Sequence, residues 1–356
     1  MNSYNKIVVS HSYESLHYSI ILGITLINII RDIKKQFQER KIFIVTDANV
    51  AKYYGHQFYN LNWPLIIIPA GERSKTQKYK EIIENKLIKW NADRDSIIIA
   101  LGGGMVGDLA GFTAATFMRG IDYIQIPTSL LAQVDSSIGG KTGINHPNGK
   151  NLIGAFHHPV KVYIDIETLQ TLPVNHFYSG MAEVIKYAVS MDKDLFDYLE
   201  KHHKKIIELD KSKLLYIIKR CIILKKEIVQ KDEREKNYRR ILNFGHTIGH
   251  ALELYSGFKI LHGQAVAIGM MMEAKISKTI GILNEVDYKK LKYLLLLYKL
   301  PTEIPEKFDI GKLCNLTIYD KKNIDNNVNY TLIEAIGKGI INVPLKIKKV
   351  QEILLT

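Results

Sequence analysis

The sequence predicts a protein of two domains, an α/β N-terminal domain followed by a mostly α-helical C-terminal domain. Up to about residue 172, short apolar runs alternate with segments of helical periodicity, as in proteins with a parallel sheet. Beyond that point helical patterns dominate and strand-like runs nearly vanish. We therefore predict domains at residues 1–172 and 173–356, with the active site in the cleft between them.

Four short apolar runs predict the strands of the N-terminal sheet. Their continuous apolar character is typical of strands covered on both faces, as in parallel sheets. Helical periodicity separates them at residues 75–90 and 109–118. The predicted strands are residues 41–46, 65–69, 96–101 and 123–127.

Five helical patterns and one strand-like run make up the C-terminal part. The apolar positions recur with the spacing of an amphipathic helix. The predicted helices are residues 181–189, 214–229, 247–255, 264–280 and 288–297, and the strand is residues 330–336.

Composition favours a globular protein of the cytoplasm. Of the 356 residues, 46% are hydrophobic, and the longest apolar run, residues 20–30, is shorter than the roughly 20 residues that span a bilayer. The approach to that run lacks the basic leader of a secretory signal. Cys221 and Cys314 are far apart and form no CxxC pattern, which indicates neither a disulfide framework nor a thiolate metal site. We expect a cytoplasmic protein with no membrane association.

The net charge of +13 raises the hypothesis of nucleic-acid binding. However, the lysines are spread along the chain, and no recognisable nucleic-acid-binding motif accompanies them. A phosphorylated or carboxylated small substrate would use the same positive field. We therefore expect an anionic small molecule as the partner and no nucleic acid.

A glycine loop lies between a predicted strand and a predicted helix. Gly102, Gly104 and Gly107 satisfy the pattern G-x-G-x-x-G in the context that it requires. Glycines let the backbone approach a pyrophosphate, whose charge the helix N-terminus stabilises. The usual acidic residue about 20 positions further on is missing, and Asp47, at the end of an earlier strand, is an available partner for the ribose. The loop favours a Rossmann-like sheet that binds a dinucleotide, although such glycine turns also occur for structural reasons.

A second glycine cluster at residues 135–143 is similar to a P-loop. It departs from that pattern at its first position, where Asp135 stands in place of glycine. Lys141 remains a candidate phosphate-binding residue, but the cluster argues against ATP hydrolysis.

Several histidines and a glutamate are candidates for a metal site. His246 and His250 lie one helical turn apart, and their spacing alone nominates both as zinc ligands. Thr247 follows His246, so the H-E-x-x-H metalloprotease pattern is absent. His262 opens another helical segment, and Glu183 lies on a third. Each of these residues could instead be a satisfied polar group where helices pack.

Taken together, these segments resemble the 3-dehydroquinate synthase family, the NAD⁺-dependent cyclases of the shikimate pathway. The matching pieces run in order across nearly the whole chain, so chance agreement is negligible. They are residues 46–49, 71–75, 101–108, 118–120, 127–129, 134–142, 149–154, 182–186, 242–250, 262–263 and 320–323.

The resemblance implies the cofactors and the residues that hold them. Glu183, His246 and His262 would be the protein ligands of one Zn²⁺ or Co²⁺, and His250 would face the substrate instead of the metal. The implied NAD⁺ site comprises Asp47, Asn49, Glu72, Lys75, Gly103, Gly104, Met105, Val106, Gly107, Asp108, Thr128, Ser129, Lys141, Lys150, Thr168, Leu169, Gln170 and Thr171.

The resemblance also implies a substrate, a phosphorylated keto-acid sugar. In this family a residue at the position of Arg119 reaches into the partner subunit's site, which implies a homodimer. One or both of Lys321 and Lys322 would touch the substrate. The implied substrate-binding and catalytic residues are Arg119, Asp135, Lys141, Asn151, Lys186, Lys225, Arg239, Asn243, His250, Lys321 and Lys322.

The family's reaction turns 3-deoxy-D-arabino-heptulosonate 7-phosphate into 3-dehydroquinate and phosphate. Oxidation of a hydroxyl at C5 acidifies the neighbouring C–H, so phosphate leaves by β-elimination. The hydride then returns, and ring opening with an intramolecular aldol closure completes the carbocycle. The alternatives are a sugar-phosphate cyclase with another substrate, a metal-dependent NAD polyol dehydrogenase and a non-catalytic nucleic-acid-binding protein. Arg239, Asn243 and Lys225 favour a substrate that carries a carboxylate.

Overall fold

The computed structural model describes residues 17–147, 149–317 and 327–356. In the N-terminal part, strands and helices alternate. They are β1 (Ser19–Leu22), α1 (Leu26–Gln36), β2 (Ile42–Asp47), α2 (Ala48–Tyr54), β3 (Leu65–Ile68), α3 (Gln77–Lys89), β4 (Ile97–Gly102), α4 (Gly104–Thr116), β5 (Asp122–Pro127), β6 (Lys141–His146), β7 (Gly149–Phe156) and β8 (Lys161–Ile164).

From Val174 onward the described chain is mostly helical. Its elements are α5 (Val174–Met191), α6 (Lys193–Ile207), α7 (Lys211–Lys231), α8 (His246–Tyr255), α9 (His262–Thr279), α10 (Glu285–Leu297), α11 (Ile310–Leu316), β9 (Asn327–Ala335), β10 (Lys338–Lys346) and α12 (Ile347–Leu355). The predicted fold class is confirmed: an α/β sheet domain precedes a helical region. The division at residues 172 and 173 itself stays a prediction.

The main sheet has six parallel strands in the order β1-β8-β5-β4-β2-β3. Successive residues of a strand point to opposite faces. In β4, Ile98 and Ala100 pack on one face with side chains of α3 and α4, whereas Ile97 and Ile99 pack on the other with side chains of α1. Burial on both faces explains why the apolar runs are continuous instead of alternating.

The four predicted strands are confirmed, but the four other strands of this part, β1, β6, β7 and β8, were missed. Strands β1 and β8 have only four residues each, and β1 is partly exposed along its length. The antiparallel hairpin of β6 and β7 occupies part of the second glycine cluster, where no apolar alternation indicated a strand. The hairpin places Lys141 at its start and Lys150 on its second strand.

The helical region packs around α5, and α8 crosses α9 at close range. Two glycines of α9 permit its close contacts, one with α5 and one with the start of α8. A methyl group on Gly263 would lie 1.9 Å from the backbone oxygen of Ser179 in α5, and one on Gly269 would lie 1.9 Å from the backbone oxygen of Gly245. The strand predicted at residues 330–336 corresponds to β9, which pairs with β10. Within the described residues, the helices are either too short or too polar to cross a membrane.

Candidate active site

The carboxyl ends of β2, β4 and β5 bring three predicted dinucleotide-binding segments side by side. Strand β2 ends at Asp47, and β4 runs directly into the glycine loop at Gly102. Thr128 follows β5 and donates its backbone N–H to the Gly102 carbonyl at 2.9 Å. In the strand order, the chain continues from β2 toward one edge of the sheet and from β4 toward the other. Ligands of open α/β sheets bind at such a switch point.

The glycine loop fits a phosphate group. Helix α4 begins at Gly104, with Gly103 as its N-cap, so its first backbone N–H groups lie at the end of the sheet. A methyl group on Gly104 would lie 2.9 Å from the hydroxyl of Ser136. That hydroxyl is buried and has no hydrogen-bond partner in the described part of the chain. The glycine loop therefore offers backbone N–H groups and the Ser136 hydroxyl to a phosphate, in space that a side chain at Gly104 would fill.

Asp47 and Asn49 lie beside this loop. The Oδ1 atom of Asp47 accepts the backbone N–H groups of Asn49 at 2.8 Å and Val50 at 3.1 Å, so Asp47 caps α2. Both bonds use the same carboxylate oxygen. The cap fixes the side chain at the switch point, where we predicted a ribose contact.

Lys75 connects the predicted dinucleotide residues to the hairpin. Its ammonium donates to the carboxylate of Asp108 and to the side-chain oxygen of Asn151. Burial opposes its charge, but Asp108 and Glu72 outweigh this and raise the pKa of Lys75. The side chain of Lys75 is 4% exposed, so it is a fixed charge.

The predicted segment from Thr168 to Thr171 lies in a 3₁₀ turn, Ile166–Thr171, after β8. The Thr168 hydroxyl accepts from Gln133 at 3.0 Å, and the Thr171 hydroxyl lies 2.7 Å from that of Tyr54. The Leu169 side chain is buried in the helical core. Leu169, like the buried Val106, can reach a cofactor only through its backbone.

Glu183, His246 and His262 converge at one point, although they lie on three helices. Glu183 is fully buried in the middle of α5, and the two histidines are the first residues of α8 and α9. The Oε1 atom of Glu183 lies 3.5 Å from Nε2 of His246 and 3.3 Å from Nε2 of His262. The three ligand atoms all lie within 4.8 Å of one another. The structure thus brings the three predicted metal ligands together.

The donor set suits a divalent metal. Oε1 of Glu183 is buried without a hydrogen-bond partner among the described residues, an arrangement that a cation would relieve. Nδ1 of His246 lies 3.2 Å from the Phe244 carbonyl, so Nε2 faces the site. Burial lowers the pKa of His246 to about 3, so its imidazole is neutral, whereas Glu253 and Glu183 outweigh burial and raise the pKa of His262 to about 10. A metal bound here would therefore displace a proton from His262. One carboxylate and two imidazoles would leave one position of a tetrahedral ion open to a substrate oxygen.

A second group, His250, Glu253 and His262, also has ligand atoms within 4.8 Å of one another. In this group Oε1 of Glu253 already accepts from Lys150 at 2.8 Å. His250 is exposed, and its ring centroid lies 5.2 Å from that of His246. This geometry supports the group of Glu183 as the metal site, with His250 at its rim.

Three cationic side chains are buried near the metal cluster: Lys186, Lys225 and Arg239. Lys186 donates to Glu183, and Lys225 donates to Asp135, both to its carboxylate and, at 2.6 Å, to its backbone oxygen. Although burial opposes the ionisation of Asp135, Lys225 and Lys186 hold its pKa well below the usual range. Burial lowers the pKa of Lys225 to about 8, and Arg239 adds to this while Asp135 opposes it. The site is a dense set of opposite charges shielded from water.

Arg239 and Asn243 lie in the turn before α8, close to Lys141. Arg239 is 3% exposed and donates to the backbone oxygens of Gly139 and Glu233. A guanidinium has five N–H donors, so these bonds leave capacity for a carboxylate. Asn243 donates to Glu235 at 2.7 Å, and Lys141 pairs with the other oxygen of Glu235.

Sequence reasoning missed three residues at this site. Glu235 holds both Lys141 and Asn243, Tyr187 donates its buried hydroxyl to Asp135 at 2.6 Å, and Glu253 contacts both Lys150 and His262. Tyr187 directly follows Lys186, and Glu253 lies one helical turn after His250 and Gly249. Their closeness to these predicted site residues was the signal in the sequence that could have identified them. The contacts of the three missed residues with Lys141, Asp135 and Lys150, however, span 94, 52 and 103 positions of the chain.

Arg119 stands apart from the residues above. It is exposed, and both it and Met118 have positive φ, 69° and 51°. Such backbone is unfavourable for residues other than glycine and is concentrated at functional sites. Lys321 and Lys322 lie outside the described residues.

Comparisons with known proteins agree over most of the chain. The family model described as 3-dehydroquinate synthase N-terminal matches residues 65–179, and the one described as 3-dehydroquinate synthase C-terminal matches residues 180–323. A 3-dehydroquinate synthase of Thermodesulfovibrio yellowstonii is 44% identical over 88% of this chain and 90% of its own. One of Thermoanaerobacter pseudethanolicus is 45% identical over 86% and 88%.

Solved structures show the same architecture. The 2-epi-5-epi-valiolone synthase of Streptomyces hygroscopicus, solved with NAD⁺ and Zn²⁺, has a TM-score of 0.89 and 25% identity over 97% of this chain and 98% of its own. A 2-deoxy-scyllo-inosose synthase complexed with carbaglucose-6-phosphate, NAD⁺ and Co²⁺ has a TM-score of 0.84 and 27% identity, over 95% and 96%. A probable glycerol dehydrogenase of Sinorhizobium meliloti, 12% identical with a TM-score of 0.67 over 96% and 97%, shares the fold.

The fold is that of the NAD-dependent sugar-phosphate cyclases, a class within this wider architecture. Within that class the family is settled by the two matching domains and the relatives of about 44% identity. The chain belongs to the 3-dehydroquinate synthase family and is an enzyme of that type.

Proposed function

We propose that this enzyme converts 3-deoxy-D-arabino-heptulosonate 7-phosphate into 3-dehydroquinate and phosphate, using NAD⁺ and one Zn²⁺ or Co²⁺. The observation that carries the proposal is the cluster of Glu183, His246 and His262, whose ligand atoms lie within 4.8 Å of one another. Glu183 also pairs with Lys186, a buried cation. Related structures solved with NAD⁺ and Zn²⁺ or Co²⁺ support both cofactors.

NAD⁺ held at the glycine loop would supply a reversible hydride acceptor, and a metal held by Glu183, His246 and His262 would supply a Lewis acid for substrate oxygens. The glycine loop and the α4 N-terminus would hold the pyrophosphate, and Asp47 would contact the ribose. Lys75 holds Asp108 and Asn151 in place between the loop and the hairpin.

The buried cations suit a substrate with two anionic ends. Arg239 offers a planar set of donors to the carboxylate, with Asn243 and Lys225 beside it, and Lys186 acts as a point charge toward the phosphate. Lys141, Asn151, His250 and Lys321 or Lys322 complete the proposed substrate site. Elimination and aldol closure need one substrate conformer, and fixed charges on several elements supply that positioning.

The proposed enzyme is a homodimer of the cytoplasm. Arg119 would reach the partner subunit's site, and its exposed position and strained backbone support a role outside its own subunit. Strand β7 exposes Leu152, Ile153 and Phe156, the kind of apolar surface that a partner covers. The free, buried Cys221 and Cys314 suit a reducing compartment.

A stoichiometric assay tests the reaction. Purified protein is incubated with the heptulosonate phosphate and trace NAD⁺, and inorganic phosphate and NADH are followed together. We expect phosphate release far in excess of the NAD⁺ present, no accumulation of NADH, and loss of activity on treatment with a chelator. NADH formed in proportion to a polyol substrate would favour a dehydrogenase, and turnover of a sugar phosphate without a carboxylate would favour another cyclase.

A further inference from the structure

Glu253 lies between the proposed metal site and the proposed NAD⁺ site and contacts both. We propose that Glu253 is a positioning residue shared by the two sites: it orients the metal ligand His262 and fixes Lys150 where NAD⁺ binds. The inference rests on the proposed function, because it assumes that these two sites hold a metal and a dinucleotide. It assigns a role to a side chain that sequence reasoning left out.

The first contact concerns the metal ligand. Nε2 of His262 lies 3.3 Å from Oε1 of Glu183, and Nδ1 of His262 lies 3.2 Å from Oε2 of Glu253. A histidine that binds a metal through one ring nitrogen usually donates the other N–H to a carboxylate or carbonyl, which fixes its tautomer and ring orientation. Glu253 therefore occupies the position of that acceptor, on the side of the ring away from the metal.

The second contact concerns the dinucleotide site. The ammonium of Lys150 lies 2.8 Å from Oε1 of Glu253 and 4.8 Å from the centre of the Phe258 ring. A lysine side chain is flexible and loses rotamer freedom when its ammonium is held in one position. The ion pair and the ring hold this ammonium in one place. Because Lys150 lies on the hairpin and Glu253 on α8, the pair also joins the N-terminal part to the helical region.

Burial makes Glu253 dependent on both partners. Its side chain is 2% exposed, and a buried carboxylate is tolerated when it is paired and hydrogen-bonded. Each oxygen has one of the two partners, so neither contact can be replaced by water without a rearrangement. A change at one site therefore reaches the other through a single carboxylate.

Binding measurements on the purified full-length protein test this role. Co²⁺ is titrated by its visible absorption and NAD⁺ by calorimetry, in wild type and in Glu253→Gln. We expect the Co²⁺ dissociation constant to rise about 10- to 100-fold with an altered spectrum, and NAD⁺ affinity to fall about several-fold. The matched control is Asp192→Asn, which changes a carboxylate 4% exposed and paired with Arg220 away from the site, and both affinities should remain as in wild type.

A double-mutant cycle separates positioning from general destabilisation. In a Lys150→Met background, Glu253→Gln should have little further effect on NAD⁺ affinity, because the lysine that it positions is gone. Additive losses would overturn the inference, and so would wild-type Co²⁺ affinity and spectrum in folded Glu253→Gln. If Glu253→Gln does not fold, Lys150→Met alone decides: it should change the Co²⁺ affinity or spectrum although Lys150 is no ligand, and an unchanged site overturns the inference. Wild type that binds neither Co²⁺ nor NAD⁺ would instead overturn the proposed function itself.

Discussion

The close contact between α9 and α5 makes Gly263 a sensitive test of the metal site. Gly263 follows the ligand His262, and its N–H donates to the Ser179 hydroxyl at 2.9 Å. In Gly263→Ala the new methyl group would lie 1.9 Å from the Ser179 backbone oxygen, whereas real Cβ contacts essentially never fall below 3.0 Å. Both atoms belong to rigid elements, since Ser179 lies on α5 four residues before Glu183.

The magnitude follows from that overlap. The two helices must separate locally by about 1.1 Å, while metal–ligand distances tolerate roughly 0.2 Å. We expect Zn²⁺ or Co²⁺ affinity to fall by at least about tenfold and the free energy of unfolding to drop by about 1–3 kcal/mol from overpacking.

The assay is metal titration with a chromophoric chelator, at a temperature where circular dichroism shows the variant folded. Gly55→Ala is the matched control, because its new methyl group would meet its nearest neighbour at an ordinary 3.5 Å. Folded Gly263→Ala protein with wild-type metal affinity would refute the reasoning.

Three further predictions concern the same site. Glu183→Gln should lose the metal and its activity. It should also unfold at a lower temperature, because Lys186, 1% exposed, loses its closest counter-charge, a loss worth about 3–5 kcal/mol for a fully buried pair. Metal content, turnover and thermal unfolding measure these effects, and full activity would exclude Glu183 as a ligand. The pKa of Lys225, about 8, predicts that kcat/KM falls as pH rises through about 8, because the deprotonated amine no longer attracts the anionic substrate. The value of kcat should vary less, since bound substrate favours the ammonium form. A flat kcat/KM profile from pH 7 to 9.5 would contradict a substrate-binding role for Lys225. Equal mixing of inactive Arg119→Ala and Glu183→Gln subunits should restore about a quarter of the sites, because about half of the dimers are mixed and each mixed dimer holds one complete site of two. Mixed dimers that form without activity would show that Arg119 acts within its own subunit.

The sequence by itself determined the fold class and most of the main sheet. Continuous apolar runs such as residues 97–101 are buried on both faces, and that requirement is visible in the chain without knowledge of its neighbours. The position of the glycine loop between a strand and a helix is likewise local. Strands β1 and β8 are no shorter than the correctly predicted β3, but they begin with the polar residues Ser19 and Lys161 and lack its uninterrupted apolar run.

The site was determined by the sequence only in part. Local spacing pointed to His246 and His250 as a pair, and the resemblance to a family replaced His250 with Glu183 and His262. The folded chain brings Glu183, His246 and His262 together because α5, α8 and α9 pack at glycine contacts, and no local pattern encodes that distance. The contact between Lys150 and Glu253 spans 103 positions in the chain. Periodicity reports which face of an element is buried, but only the packing of distant elements decides which polar groups meet within that interior.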